Sequence, residues 1–205
     1  MPIYRDQIFP RIYDLLMGLG SLDSRRTAHL TPAKGKVLEV GIGTGLNLPH
    51  YPETFGQLTG LDASRGMLDK LEAKARKMGF ELNAVLAGAE MMPFEDQSFD
   101  TVVSTHSLCS MSDRAAALGE IRRVLKSDGR FIFLEHGLSP DQKIAKWQRR
   151  VNGVQSRFAV GCLLDVDMEA EIRAAGFCFE KLEKGYQPGE SRTHGYLYDG
   201  IAVPV

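Results

Sequence analysis

The chain has 205 residues, and its 25 basic and 26 acidic side chains give a formal net charge of −1 at pH 7. A chain so close to neutral lacks the strongly basic surface of nucleic-acid-binding proteins, so we expect no nucleic-acid partner. Apolar residues make up 43% of the sequence, enough for the core of one domain, and no apolar run is long enough to span a bilayer. Three cysteines without a C-x-x-C spacing favour a reducing, cytoplasmic compartment.

Residues 1–30 are predicted to form a helical N-terminal cap on a single domain that covers residues 1–205. Bulky apolar residues recur at helical spacing from Tyr4 to Leu19, and Pro10 lies close to the predicted start of that helix. A second short helix is predicted from Ser24 to Leu30. From the residues alone, its apolar face is predicted to pack on the core, with a position on a membrane surface as the lesser alternative. A third interpretation, closure over a ligand, depends on the resemblance given below.

Three glycines follow the first predicted strand, which covers residues 36–40. They stand at alternate positions, Gly41, Gly43 and Gly45, and a helix is predicted to start near Leu46. Glycine lets the backbone approach a ligand closely, and the first turn of a helix offers unpaired N–H groups. The strand, the glycine turn and the helix therefore predict a cradle for a nucleotide-like ligand.

The spacing of these glycines departs from the dinucleotide fingerprint G-x-G-x-x-G, because the third glycine comes one residue early. Glu39 precedes the first glycine, and a carboxylate there would repel phosphates but suit a cationic ligand. Asp62 follows the predicted strand Leu58–Leu61, at the position where a carboxylate binds ribose hydroxyls. The pattern favours a ribose-containing cation and disfavours a nicotinamide-dependent reductase.

The remainder of the chain alternates between predicted strands and helices, which indicates an α/β protein. Helices are predicted over residues 64–78, 113–125, 140–154 and 167–175. Strands are predicted over residues 81–86, 101–104 and 130–134, with residues 177–182 and 195–203 as a final antiparallel pair.

The helix predicted over residues 140–154 has two chemically different sides. Ile144 and Trp147 are predicted on its apolar, inward side. Four basic residues are predicted on the other: Lys143, Lys146, Arg149 and Arg150. A solvated basic face is the simplest interpretation, and contact with lipid or an anionic substrate is the alternative.

Glu39, the glycine turn and Asp62 together resemble the class I methyltransferases that depend on S-adenosylmethionine (SAM), and residues 91–100 resemble a signature of that superfamily. The resemblance implies an α/β, Rossmann-like three-layer sandwich. Its seven-stranded sheet would have the order 3-2-1-4-5-7-6 and be mostly parallel, with an antiparallel last strand. SAM would be the cofactor, held by residues 36–135, and residues 136–205 would form the acceptor side.

The resemblance also implies which residues hold the cofactor. Relatives often carry an aspartate where Gly88 stands, so recognition of adenine falls to the backbone around Ala89 and Glu90. The expected cofactor-binding residues belong to the glycine turn and to the loops that follow the strands: Glu39, Gly41, Gly43, Gly45, Asn47, Asp62, Ala63, Met67, Ala89, Glu90, Thr105 and His106.

Methyl transfer needs an acceptor that arrives deprotonated, so we expect a base near the carboxyl ends of the strands. His106 follows the fourth predicted strand, His136 follows the fifth, and His194 precedes the last. Tyr13 lies in the N-terminal segment, which in this superfamily can close over the cofactor. These four are the candidate catalytic residues, with structural hydrogen bonding as the alternative for each. No H-x-x-H, C-x-x-C or carboxylate cluster predicts a metal site, and Cys109 is predicted to be a small buried residue.

A narrower resemblance concerns the acceptor. Ser107–Ser110, Arg122–Leu125 and Glu135–His136 resemble both the small thiol S-methyltransferases of animals and bacterial phosphatidylethanolamine N-methyltransferases. Tyr13–Leu15 resembles ubiquinone and menaquinone C-methyltransferases. N-methylation of a phospholipid amine is the leading expectation; S-methylation of a hydrophobic thiol and C- or O-methylation of a quinol precursor are alternatives.

From a different class, a SAM-binding protein without turnover is a further alternative. The expected partners are a small-molecule or lipid acceptor and, through the N-terminal helix, the inner membrane surface. No obligate protein partner is expected.

Overall fold

A seven-stranded sheet forms the centre of the protein in the computed structural model, which describes residue 10, residues 23–53 and residues 55–205. The sheet has the order β3-β2-β1-β4-β5-β7-β6. Strand β7 is antiparallel to both β5 and β6, and the other pairs are parallel. The predicted order and the antiparallel last strand are therefore confirmed. The strands are β1 (Lys36–Val40), β2 (Gln57–Asp62), β3 (Leu82–Leu86), β4 (Phe99–Thr105), β5 (Leu125–His136), β6 (Phe177–Tyr186) and β7 (Tyr196–Pro204).

Five α-helices connect or flank these strands in the described part of the chain: α1 (Asp23–Leu30), α2 (Arg65–Met78), α3 (Arg114–Val124), α4 (Gln142–Phe158) and α5 (Met168–Ala174). The predicted N-caps Ser64 and Asp113 each accept a hydrogen bond from a backbone N–H of the first turn. No described helix combines the length and apolar character that a membrane crossing requires. The predicted helix over residues 4–19 lies, apart from residue 10, outside the described residues.

Alternating side chains fill both faces of the sheet. On β5, Phe131 and Phe133 belong to one apolar cluster, and Ile132 between them belongs to another. Successive side chains of a strand point to opposite faces, so the two clusters lie on opposite sides of the sheet. The first cluster includes Leu118 of α3 and the second includes Leu68 of α2. Helices therefore cover both faces, and the predicted three-layer sandwich is confirmed.

The prediction of a helix that starts near Leu46 is wrong. The segment after β1 forms consecutive turns and one 3-10 turn, Leu48–His50. Pro49 lies at its start, and Tyr51 after it has φ −66° and ψ 139°. That extended conformation is the one a residue adopts before proline, and Pro52 follows, so the prolines end the helical path after one turn.

Helix α4 faces the core with a different side from the predicted one. Trp147 is 56% exposed, and the buried positions are Ala145, Gln148 and Asn152. The two amides are buried because they bond the main chain: Gln148 Nε2 donates to Gly137 O at 3.0 Å, and Asn152 Oδ1 accepts from Leu164 N at 2.9 Å. The placement of Trp147 on the inward side is therefore wrong, because hydrogen bonding outweighed apolar character on this helix.

Gly200 provides a test of how closely the last strands pack. A Cβ at this position would lie 2.5 Å from Phe133 Cζ and 2.7 Å from the carbonyl oxygen of Lys181. Neither the ring nor the backbone has room to move, so we expect Gly200→Ala to lower the free energy of unfolding by about 1–3 kcal/mol. Urea unfolding followed by circular dichroism measures this.

The matched control is Gly119→Ala on α3, where a Cβ would have nothing within 4 Å. Alanine restricts the unfolded chain and favours the helix, so this variant should be unchanged or more stable by about 0.5–1 kcal/mol. Equal stability of the two variants would contradict the packing described for Gly200.

Candidate active site

A cavity of about 740 Å³ opens at the carboxyl ends of β1, β2, β4 and β5. Its size is within the range of small-molecule sites, and the carboxyl ends of parallel strands are where α/β sheets bind ligands. We call one part the turn end, lined by Gly41, Gly43, Asp62, Ala63, Met67, Ala89 and Glu90. We call the other the histidine end, lined by His106, Met111, His136, Gln155, Cys162, His194 and Leu197.

The glycine turn reaches its shape through left-handed backbone conformations. Gly41, Gly43 and Gly45 have φ of +68°, +57° and +75°. A side chain at these angles is strained, and a Cβ at Gly41 would lie 2.4 Å from the Cβ of Ser107. Glycine is therefore required here both for the backbone conformation and for the close approach to the loop after β4.

Asp62 ties the turn to the end of β2. Its Oδ2 accepts from the backbone N–H of Gly43 at 3.0 Å, and its Oδ1 accepts from that of Ser64 at 2.8 Å. These bonds fix the carboxylate at the wall of the cavity, at the turn end. The position suits the predicted contact with a ribose.

Glu39 lies beneath the turn and does not line the cavity. Its Oε1 accepts from Asn47 Nδ2 at 2.8 Å and its Oε2 from Tyr51 OH at 2.8 Å. Asn47 in turn accepts from Arg26 of α1 at 2.6 Å. Burial raises the pKa of Glu39 to about 7, although the Tyr51 bond, the Arg26 charge and the Asn47 bond each oppose that rise. Glu39 therefore supports the turn from behind.

The structure separates the residues expected to bind the cofactor into two groups. Those named above for the turn end line the cavity, as does His106 at the histidine end. Four others do not line it: Glu39, Gly45, Asn47 and Thr105. Thr105 Oγ1 accepts from Asn47 Nδ2 at 2.9 Å, so it belongs to the Glu39 network. These four residues lie outside the lining of the cavity, and their contact with the cofactor stays a prediction.

The candidate bases His106 and His136 are brought together. Their Nδ1 atoms lie 3.4 Å apart, and their rings stack with centroids 5.6 Å apart. Burial, followed by the charge of His136, holds the pKa of His106 well below its ordinary value, so this imidazole is neutral. Burial also lowers the pKa of His136, but the hydrogen bond and charge of Cys162 outweigh it, and the net pKa is raised. The His106 backbone has φ +52°, which the loop after β4 imposes.

Glu135 shapes the loop that carries His106. This fully buried carboxylate accepts through Oε1 from Ser104 Oγ at 2.7 Å and from the backbone N–H groups of Ser107 at 3.0 Å and Leu108 at 3.2 Å. Ser107 Oγ also donates to the carbonyl of Val40 at 2.9 Å. Burial raises the pKa of Glu135, and the Ser104 bond opposes the rise. The loop after β4 is thereby fixed to both β5 and β1.

Two cysteines that are distant in sequence meet at the histidine end, which spacing along the chain did not predict. Cys109 Sγ lies 3.5 Å from Cys162 Sγ, and Cys162 Sγ lies 2.9 Å from His136 Nε2. The hydrogen bond from the Cys109 thiol and that from His136 lower the pKa of Cys162, against the effect of burial. The hydrogen bond between the two cysteines, together with burial, raises the pKa of Cys109. The expectation that Cys109 is buried is confirmed. The expectation of no metal-ligating cluster needs correction, since sulfur and imidazole ligand atoms converge here.

His194 lies at the mouth of the cavity, where its Nε2 is 3.3 Å from Gln155 Oε1. Burial lowers its pKa, and the charge of His136 adds to that effect. Tyr13 lies outside the described residues. Sequence reasoning missed Cys162 and Gln155 as cavity residues; both follow from the position of α4, and no local motif marks them.

Comparison with known proteins relates the chain to methyltransferases. Residues 38–133 match a family model described as a methyltransferase domain. The human thiol S-methyltransferase TMT1B is 34% identical over 165 residues, which cover 78% of this chain and 67% of that protein. A phosphatidylethanolamine N-methyltransferase of Cereibacter sphaeroides is 36% identical over 129 residues, which cover 61% of this chain and 63% of that protein. The chain thus spans less than two thirds of the length of that bacterial relative.

Among solved structures, the YcgJ protein of Bacillus subtilis superposes with a TM-score of 0.66 at 20% sequence identity. The superposition covers 89% of this chain and 95% of YcgJ. Similarity at this identity shows that the two proteins share a fold.

Asp62 allows a direct test of the turn end. We expect Asp62→Ala to weaken SAM binding by about 1.5–3 kcal/mol, the scale of a hydrogen bond to a charged group. Isothermal titration calorimetry measures the change. Asp69→Ala, on the exposed face of α2, is the matched control and should bind SAM like the parent. Equal affinity of Asp62→Ala and the parent would remove Asp62 from the ribose contact.

The buried Glu39 predicts a pH-dependent stability. Its folded pKa of about 7 lies above the ordinary value of 4.5, so the stability that it contributes is full below pH 4.5 and is lost as pH rises through 7. Glu39→Gln cannot titrate; its amide oxygen can accept from Asn47, and its amide nitrogen can donate to the Tyr51 hydroxyl, which reverses that bond. Relative to the parent, this variant should gain about 2.5 kcal/mol of unfolding free energy between pH 5 and pH 8.5.

Urea unfolding of both proteins at the two pH values measures this difference. Glu72→Gln, at an exposed ion pair, is the control and should shift by no more than a few tenths of a kcal/mol. A pH-independent difference between Glu39→Gln and the parent would show that Glu39 ionises normally in the folded protein.

Proposed function

The chain belongs to the SAM-dependent methyltransferases, and we propose that it transfers a methyl group to the sulfur of a small hydrophobic thiol. SAM supplies the methyl as an electrophile on a positively charged sulfur. The turn end fits this cofactor, because it joins a Cβ-free backbone to a fixed carboxylate, Asp62, and to the apolar side chain of Met67. The acceptor then belongs at the histidine end.

Our choice of acceptor depends on the composition of the cavity wall. None of the described residues that line the cavity is lysine or arginine. A phospholipid headgroup carries a phosphodiester, for which the described part of this wall offers no cationic partner. A hydrophobic thiol needs no cation, and the apolar side chains of Met111 and Leu197 suit its body. This observation favours the thiol over the phospholipid amine that the sequence placed first.

The chemistry of a thiol also suits the residues present. In the reaction, a sulfur lone pair of the acceptor forms the new C–S bond, and the electrons of the broken bond stay on the sulfur of SAM. The thiolate is the reactive form, and a cysteine-like thiol, with a pKa of about 8.5, loses its proton more readily than an alkylammonium group, with a pKa of about 10.4. The site then has to align the acceptor and exclude water, which can contribute about 7–11 kcal/mol.

Two of the candidate bases are neutral imidazoles, the form that accepts a proton. Burial lowers the pKa of both His106 and His194, so each is neutral near pH 7. His106 is the more enclosed, and its Nε2 has no hydrogen-bond partner among the described residues. We assign His106 to take the thiol proton and His194 to the mouth of the site.

Resemblance among relatives supports the same choice. The match to the human thiol S-methyltransferase extends over 78% of this chain, against 61% for the phosphatidylethanolamine N-methyltransferase. The longer match favours the thiol over the phospholipid amine.

A matched acceptor series tests the proposal. The purified protein is incubated with SAM and an alkyl thiol, or with the primary amine or the alcohol of the same chain length. Dispersed phosphatidylethanolamine and a quinol precursor complete the series. Mass spectrometry should detect the methyl thioether, formed at least about tenfold faster than any other product.

Variants assign the proton acceptor. His106→Ala should lower turnover of the thiol by about 10²–10⁴-fold while SAM affinity stays near that of the parent. Faster methylation of phosphatidylethanolamine than of the thiol would overturn the proposal. SAM binding without any product in the series would instead favour a SAM-binding protein without turnover.

A further inference from the structure

Cys109, His136 and Cys162 form a compact set of ligand atoms, which we call the Cys–His cluster. Their sulfur and imidazole nitrogen atoms all lie within 4.8 Å of one another. Cys109 and Cys162 are only 1% and 7% exposed. The three residues come from the loop after β4, the end of β5 and the segment after α4, so the fold itself assembles the cluster.

The donor set is that of a zinc site. Zinc prefers thiolate and imidazole ligands in a tetrahedral arrangement, with Zn–S near 2.3 Å and Zn–N near 2.0–2.1 Å. Ideal tetrahedral angles then separate two sulfurs by about 3.8 Å and sulfur from nitrogen by about 3.6 Å. The Cys109–Cys162 distance is 3.5 Å and the His136–Cys162 distance is 2.9 Å. Side-chain movements below an ångström would bring these two pairs to zinc-binding separations.

Neighbouring groups hold the cluster in place. His136 presents Nε2 to the cluster, and its other ring nitrogen lies 3.4 Å from His106 Nδ1. With Nε2 on a metal, His136 would donate its Nδ1–H to His106 Nδ1, which would fix the His136 ring and leave the His106 proton on Nε2. The backbone N–H of Leu163 donates to the carbonyl of Cys109 at 2.9 Å, which fixes the two cysteine segments to each other. The cluster is therefore supported on both sides.

The cluster is open on one side. His136 and Cys162 line the cavity, whereas Cys109 lies behind them. Three protein ligands leave a tetrahedral ion with a fourth position, and catalytic zinc sites use that position for water or substrate. Here the fourth position would face the histidine end, where the acceptor belongs.

We infer that the Cys–His cluster binds Zn²⁺ through Cys109, His136 and Cys162, with a fourth position that takes the sulfur of the thiol acceptor. The identity of the fourth ligand rests on the proposed function; the three protein ligands do not. On binding, the thiol releases its proton to solvent and its sulfur coordinates as a thiolate, so the metal-bound site does not use His106 as the base. No oxidation or reduction is involved.

Cobalt substitution tests the three protein ligands without any assay of turnover. Protein stripped with a chelator under reducing conditions is titrated with Co²⁺. The parent should bind about one equivalent, with sulfur-to-cobalt charge-transfer absorption and the intense visible bands of a tetrahedral site. Zn²⁺ should displace the cobalt and abolish both signals.

Cysteine variants locate the site. Cys109→Ser and Cys162→Ser should each lower metal affinity about a hundredfold or more and remove part of the charge-transfer absorption. His136→Gln should keep the sulfur signal and lose affinity. Cys178→Ser is the matched control, because Cys178 is exposed on β6 and distant from the cavity, and it should behave like the parent. Circular dichroism confirms that each variant is folded.

The inference is overturned if the parent shows no sulfur-to-cobalt absorption, or if Cys162→Ser binds Co²⁺ as tightly as Cys178→Ser. Adding an alkyl thiol to the cobalt form tests the fourth ligand, since coordination should change the visible bands and increase the charge-transfer absorption. Unchanged spectra would overturn that part.

These outcomes separate the two proposals. Thiol methylation that survives metal removal and Cys162→Ser would leave the proposed function standing and overturn the role of the metal. A cobalt site of the expected spectrum in a protein that methylates no thiol would support the three protein ligands and overturn the acceptor assignment.

Discussion

The buried carboxylate of Glu39 is the constraint on which the cofactor side depends. It lies near the end of the central strand β1 and accepts hydrogen bonds from Asn47 and Tyr51, with Arg26 of α1 bound to the same asparagine. Unpaired burial of a charge is costly, so this carboxylate holds its donors in one arrangement. The segment after β1 must therefore fold back so that Asn47 and Tyr51 reach Glu39. This course of the chain, which is not helical, gives the glycine turn its shape.

A second buried carboxylate, on β5, organises the acceptor side in the same way. Glu135, near the end of β5, is buried and collects the Ser104 hydroxyl and two backbone N–H groups of the loop after β4. Burial raises the pKa of both carboxylates, which shows that each is held against its preference for water. Ser107 joins the two systems, since its backbone donates to Glu135 and its hydroxyl donates to the carbonyl of Val40 beside Glu39. The two parts of the cavity therefore keep a fixed geometry relative to each other.

Sequence patterns predicted the sheet and much of the cavity, because these depend on local signals. Strand and helix periods gave the alternation of elements, and the resemblance to class I methyltransferases gave the strand order. The adjacency of β4 and β5 brought His106 and His136 together as expected. Long-range effects were missed. Cys109 and Cys162 meet across 53 positions because main-chain bonds join their loops, and no spacing rule contains that information. Trp147 was placed inward because an apolar count ignores the bonds that bury Gln148.

The two ends of the cavity differ in how freely their residues can vary without disturbing the sheet. The turn end is mostly main chain, so its shape is tied to the sheet itself. The histidine end draws on separate loops, which can vary without disturbing the sheet. One position limits that freedom. Gly161 has φ +96°, and a Cβ there would lie 2.9 Å from the carbonyl oxygen of Ser110. Only glycine lets the segment after α4 approach the loop after β4 this closely, so the contact between Cys162 and Cys109 depends on a residue without a side chain. The chemistry offered to the acceptor is thus set by backbone geometry as much as by the sulfur and imidazole groups themselves.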